Sequence, residues 1–248
     1  MKLLLLLFSG LTILNACKAQ KIPSKDELVA HFGFVQDSII RETEKILFYS
    51  YKNGKEEVEN LVLYFQGSDP SPQFSYIVKE KEVKKLCWLN GEFKKIPESY
   101  LFVVIEKIGF EGLINEDNIP KPKIYQQKNS LGNRVFRASS VINKLSSETN
   151  FKKIIVYGHS EGAPVGAKLA TVNKKVTHLG FWAGNALPDF YDFALESRKE
   201  YYRGNISVED SQKQINELIN NFKQEIVTDS LNTEGSGYTK KRWWSYSE

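Results

Sequence analysis

Ile154-Ile155-Val156-Tyr157-Gly158-His159-Ser160-Glu161-Gly162 decides the reading of this chain. Its first four residues are apolar without interruption, the pattern of a strand covered on both faces. Val165, Leu169 and Val172 then recur at helical spacing, so an amphipathic helix follows at once. Between the two, a glycine stands two positions to either side of Ser160. A residue without Cβ at those places lets neighbouring backbone come close, and the serine hydroxyl is then presented from a sharp strand-to-helix turn. This is the pattern of a nucleophile elbow, and Ser160 is its candidate nucleophile.

Working outward, three earlier runs share the apolar character: Ile46-Leu47-Phe48-Tyr49, Leu61-Val62-Leu63-Tyr64-Phe65 and Leu101-Phe102-Val103-Val104-Ile105. A later one spans Val176 to Trp182. A long helix carrying Val135, Ala138, Val141, Ile142 and Leu145 on one side precedes the elbow strand, and the Pro-containing stretch from Asn115 to Asn133 reads as a long loop leading into it. Strands alternating with helices imply an α/β fold with a mostly parallel sheet, right-handed crossovers and a ligand site beyond the carboxyl ends of the strands, where Ser160 sits. After Asn185 the strand pattern stops. Leu187-Pro188-Asp189-Phe190 opens one helix, and Ser207-Val208-Glu209-Asp210 reads as a cap ahead of another that carries Ile215, Leu218, Ile219, Phe222 and Ile226 on one face. Residues 185–235 therefore read as a helical insertion.

From about Lys45 to Trp182 the chain resembles the α/β-hydrolase family. Besides the elbow, the resemblance rests on Tyr64-Phe65-Gln66-Gly67-Ser68-Asp69, which ends a strand early in the domain, where that family places a loop supplying an oxyanion donor. The resemblance implies a serine hydrolase of ester, thioester or peptide bonds. In it Ser160 attacks a carbonyl, the N–H groups of Glu161 and Ser68 stabilise the oxyanion, and water releases an acyl-enzyme. Gln66 departs from the histidine common before that glycine. The resemblance also implies that the 185–235 helices form a cap shaping the substrate pocket, and it implies neither metal nor organic cofactor.

A serine nucleophile needs a base, nearly always a histidine held by an acid, and the chain has three histidines. His31 precedes the sheet. His159 lies inside the elbow with its side chain leaving in another direction, and His178 opens a strand at the end away from the site. Asp189 and Asp192 are available as acids, but an acid without a histidine does little. The two strands that in this family follow the cap, carrying the acid and then the histidine, are not found before Glu248. The expectation is a chain truncated at its C-terminus and inactive by itself. The alternative is a ligand-binding lipoprotein that keeps the scaffold without the catalysis.

Composition limits the other classes. Basic and acidic residues, 34 against 30, are interspersed for a formal net charge of +4, so nucleic acid is not indicated. Cys17 and Cys87 are the only cysteines, too few for a disulfide framework. Lys2, the apolar stretch Leu3 to Leu14 and the small residues after it read as an export signal covering residues 1–16. Leu14-Asn15-Ala16-Cys17 resembles a bacterial lipobox, which makes Cys17 a lipidation site and a lipid anchor the one expected contact with membrane. The rival is cleavage after Ala19, giving a soluble periplasmic or secreted protein. Residues 17–248, a mature chain of about 230 residues, suffice for one α/β domain. The basic, aromatic tail Tyr238 to Tyr246 reads as the end of the cap packing back on the core.

Overall fold

The protein is described by a computed structural model over residues 21–54, 57–79, 82–89, 91–111, 123–184 and 189–228. The leader with Cys17, residues 115–122 of the 115–133 loop, residues 185–188 and the basic tail lie outside the described residues. The strands are β1 (Val35–Arg41), β2 (Glu44–Lys52), β3 (Asn60–Phe65), β4 (Phe74–Lys79), β5 (Glu82–Cys87), β6 (Tyr100–Ile105), β7 (Lys153–His159) and β8 (His178–Trp182). Six of them form one sheet in the order β1-β2-β6-β3-β7-β8, and β4 and β5 form a separate hairpin. Strands β6, β3, β7 and β8 are mutually parallel, whereas β2 is antiparallel to both β1 and β6. The sheet is thus mostly parallel and flanked by helices, the expected α/β class.

Side chains alternate across the sheet because the strand period is two. Ile46, Phe48, Leu61, Leu63, Val103, Ile154 and Val156 point to one face. They meet α3 (Leu131–Glu148), through Val135, Ala138, Val141, Ile142 and Leu145, and α4 (Gly162–Val172), through Val165 and Leu169. All five α3 positions expected to face the core do so. Val172 does not: it is the last residue of α4 and is exposed. Leu47, Tyr49, Val62, Tyr64, Phe102 and Val104 point to the opposite face, against α1 (Lys25–His31), the start of β4 and the short 3-10 turn Gly91–Lys95.

The composition of that second layer departs from the expected strand-helix-strand alternation. The parallel neighbours β3 and β6 are joined by the β4–β5 hairpin and the 3-10 turn, with no α-helix among the described residues between them. Aromatic packing substitutes for a crossover helix: Phe34 lies 5.1 Å from Phe74 and 4.9 Å from Phe93, and Phe93 lies 5.8 Å from Phe102, ring centre to ring centre. The 115–133 stretch, read as loop throughout, contains α2 (Lys123–Lys128), whose Tyr125 is fully buried against Phe110.

After β8 come α5 (Asp189–Tyr202) and α6 (Val208–Thr228), which pack on each other. The Ser197 hydroxyl donates to the Ser211 carbonyl at 3.1 Å and the Ser211 hydroxyl returns a bond to the Ser197 carbonyl at 3.0 Å. Ser207 caps α6 as its sequence suggests, accepting the Asp210 N–H at 3.0 Å.

Candidate active site

At the carboxyl end of β7 the chain turns sharply into α4, and Ser160 sits on the turn with φ +51°. A non-glycine residue in that left-handed region is strained by roughly 1 kcal/mol or more, so the surroundings must enforce it. They do so on both sides. The Ser160 N–H donates to the Trp182 carbonyl of β8 at 3.0 Å, and the Ser160 carbonyl accepts the Ala163 N–H at 2.8 Å. A Cβ on Gly158 would collide with the Gly162 carbonyl, and one on Gly162 with the Phe65 carbonyl of β3. Both glycines of the motif are therefore dictated by backbone crowding rather than by flexibility.

The turn that follows β3 reaches the serine. A Cβ on Gly67 would stand 3.1 Å from Ser160 Cβ and 3.4 Å from its Oγ, so Ser68 lies one residue beyond the point of contact. Glu161 is the N-cap residue of α4, next to Ser160 in the chain, and its carboxylate pairs with Arg134 of α3 at 3.2 Å. The structure thus brings Ser160, Glu161 and the Gly67-Ser68 turn together, as the sequence suggests. It adds Arg134 and Lys107, whose contacts with this turn span 38 to 68 residues of sequence and leave no local pattern to read.

Ser160 opens onto a cavity of about 870 Å³. One wall is the sheet itself: Val62, Tyr64, Phe102 and Tyr157. Tyr64 stacks between Phe102 and Tyr157, with ring centres 5.9 and 6.0 Å away, and burial, then Tyr157, raises its phenol above the ordinary value. The facing wall is Cys87, Trp88, Leu89, Phe93 and Ile96, all from the end of the hairpin and the 3-10 turn. Burial pushes the Cys87 thiol up to about 11, against a smaller lowering by the Leu89 N–H and Lys94. Among the described residues no lining side chain comes from α5 or α6.

Behind the turn lies a buried carboxylate. Glu106, at the end of β6, accepts the Tyr49 hydroxyl at 2.7 Å, the Gln73 N–H at 3.0 Å and Lys25 Nζ at 3.4 Å. Burial raises its carboxyl above the usual range, while Lys25, Tyr49 and Gln73 oppose the shift.

The histidines fall as the sequence suggests. His178 pairs with Ile155, five residues before Ser160, hence about 16 Å back along the sheet at ~3.3 Å per residue. Its Nδ1 lies 2.7 Å from the Thr177 hydroxyl. His31 Nδ1 lies 3.4 Å from Lys85 Nζ on the hairpin. His159 does line the cavity, but its ring sits 5.1 Å from that of Trp182 and makes no hydrogen bond to Ser160 among the described residues. Asp192 lies on α5 and is not among the cavity's described lining; Asp189 begins that helix, and its side chain is outside the description. No group of three or more His, Cys, Asp or Glu that could hold a metal ion is found among the described residues.

No protein-family model and no curated protein matches the chain. Among solved structures it is similar to a thermostable carboxyl esterase from Bacillus coagulans, at 10% identity and a TM-score of 0.44 over 69% of this chain and 51% of that one. It is similar also to a proline iminopeptidase-related protein from Thermus thermophilus, at 10% identity and a TM-score of 0.44 over 75% and 56%. A cold-adapted esterase from an Arctic intertidal metagenomic library aligns at 10% identity and a TM-score of 0.41 over 59% and 58%. The chain spans about half to three-fifths of the length of these structures.

Proposed function

We propose that this protein is a serine hydrolase of the α/β-hydrolase type, acting on an ester, thioester or peptide bond through an acyl-enzyme on Ser160. The observation that carries the reading is the left-handed Ser160 at φ +51°, held between two sterically required glycines and facing a cavity of about 870 Å³. In the reaction the Ser160 oxygen adds to the substrate carbonyl carbon while its proton passes, by way of a solvent water, to the leaving alcohol, thiol or amine. The carbonyl oxygen becomes an oxyanion opposite the N–H groups of Ser68 and Glu161, and its collapse expels the alcohol, thiol or amine. Water repeats the addition and frees the acid. Each such donor contributes roughly 3 kcal/mol to the transition state. The apolar and aromatic walls suit an uncharged acyl group.

A second reading is favoured by one observation: among the described residues no histidine hydrogen-bonds Ser160. In it the protein holds an apolar ligand in the same cavity without turning it over. A fluorophosphonate probe separates the two. Labelling, slow in the absence of a partnered base, is expected on Ser160 and is expected to vanish in Ser160→Ala. Equal labelling of that variant removes Ser160 from the mechanism. Absent labelling of the wild type, with a fluorescent apolar ligand still bound, makes it a binding protein.

We also propose that residues 1–16 direct export and that Cys17 carries a lipid anchor, from the charge, apolar run and lipobox-like sequence at that end. Mass spectrometry of the mature N-terminus should find a diacylglyceryl cysteine. A mature chain starting at unmodified Gln20 rules the anchor out and leaves the soluble periplasmic or secreted form.

A further inference from the structure

The turn after β3 has a donor on each of four consecutive carbonyl oxygens: Gln66 O accepts Arg134 Nη2 at 2.8 Å, Gly67 O accepts Lys107 Nζ at 2.8 Å, Ser68 O accepts the Tyr125 hydroxyl at 3.3 Å, and Asp69 O accepts Lys107 Nζ again. These donors come from three different places, α3, the exit of β6 and α2. In a trans peptide the C=O and the following N–H point to opposite sides of the chain. Fixing the carbonyls of residues 66 to 68 therefore turns the N–H groups of Gly67, Ser68 and Asp69 away from the donors that hold them. None of these three N–H groups has an acceptor among the described residues. Successive N–H groups turned to one side form an anion-binding concavity, and Gly67 lies so near Ser160 that a Cβ on it would stand 3.4 Å from the Ser160 Oγ.

Arg134 does more than hold one carbonyl. Its other terminal nitrogen pairs with Glu161, so one planar fork joins the turn to the residue after the serine. Both side chains are nearly buried, at 10% and 12% exposure. The same pairing draws the Glu161 charge toward α3, where it is compensated.

We infer that Arg134, Lys107 and Tyr125 are positioning residues that hold residues 66–69 with their N–H groups turned toward an oxyanion formed at Ser160. The inference rests on the hydrolase reading and goes beyond it by assigning what orients the donors. Sequence gives no hint of it, since Arg134 and Lys107 are ordinary surface-type residues until the tertiary contacts are drawn.

The test uses the full chain, with fluorophosphonate labelling of Ser160 followed to saturation so that probe affinity and the covalent rate are separated. Lys107→Met and Arg134→Met are expected to lower the covalent rate by about 10- to 100-fold with affinity held within about twofold. Lys107→Arg keeps a cation at the turn and should recover most of the rate, and Tyr125→Phe should give a smaller loss. A second measurement does not need the serine to react: amide NMR of the wild type with n-butylphosphonate should shift Gly67, Ser68 and Asp69, and the shifts should disappear in Lys107→Met. If Ser160 is never labelled but those shifts occur and depend on Lys107, the hydrolase reading falls and the positioning role stands. Unchanged covalent rates in both Met variants at a temperature where they remain folded overturn the inference, as does the absence of the amide shifts in the wild type.

Discussion

At the scale of single residues, the Gly158–Gly162 turn shows how far steric requirement can be read from spacing. Gly158 and Gly162 are needed because backbone carbonyls occupy the space a Cβ would take. Gly162→Ala should therefore destabilise the protein by about 2–3 kcal/mol in urea unfolding, as forced overpacking does. Gly132, near the start of α3, has nothing within 4 Å of its Cβ direction, and Gly132→Ala should stabilise by roughly 0.5–1 kcal/mol. Equal effects from the two would contradict the crowding argument. Cys87 tests the cavity wall. Its thiol is pushed up to about 11 by burial, so the nucleophilic thiolate is scarce near neutrality and alkylation by iodoacetamide should be much slower than for a free thiol, rising steeply as pH approaches that value. Fast alkylation at pH ~7.5 would show that the hairpin does not seal this wall. The Gly158–Gly162 turn was legible because its glycine spacing is a short sequence pattern, although the Phe65 carbonyl that crowds Gly162 is distant, whereas Arg134 and Lys107 act on a turn far away in sequence with no pattern to mark them.

At the scale of elements, Glu106 ties several together: Tyr49 is in β2, Lys25 starts α1, and Gln73 precedes the hairpin. Glu106→Ala would strip the buried Tyr49 hydroxyl and Gln73 N–H of their acceptor and should cost about 3–5 kcal/mol. Glu106→Gln keeps acceptors and a similar volume and should cost less. The sign of its pH dependence follows from linkage. A carboxyl raised in the folded state binds its proton more tightly there than in the unfolded chain, so wild-type stability is lost relative to the Gln variant as pH rises above the ordinary carboxyl range. A difference that stays constant with pH would mean the carboxyl is not raised. The strands of the main sheet's centre and helices α3 and α4 were legible because each meets the core along a regular stripe. Strand β1, with Gln36, Asp37 and Ser38 mostly exposed, has no such stripe. The β4–β5 hairpin also escaped: one strand is buried at its start and exposed at its end, and the other is half-exposed throughout, so neither alternates cleanly. Phe93, buried among Phe34, Tyr51 and Phe102, anchors this layer. Phe93→Ala should cost about 3–5 kcal/mol and lower the affinity of apolar ligands for the cavity, measured by fluorescence titration.

For the whole molecule, the described sheet ends at β8, whose Phe181 and Trp182 are 63% and 62% exposed. Tyr191, Phe193, Leu195 and Tyr202 of α5 add further exposed apolar surface. An open apolar strand of this kind favours association between copies. Phe181→Lys should reduce light scattering of concentrated protein without lowering the unfolding midpoint, and a large fall in that midpoint would show that Phe181 is packed in solution. What the sequence determined by itself was everything set by short-range periodicity and pattern: the α/β class, the central strands, the two helices against them, and the glycine spacing of the turn that carries Ser160. What only the tertiary structure decided was which distant segments meet. The antiparallel β2, the hairpin standing where a crossover helix was expected, the aromatic cavity between hairpin and sheet, and the two cations gripping the Gln66–Asp69 carbonyls all depend on contacts between residues far apart in the chain. Such contacts are fixed by the packing of whole layers, and no window of sequence contains them.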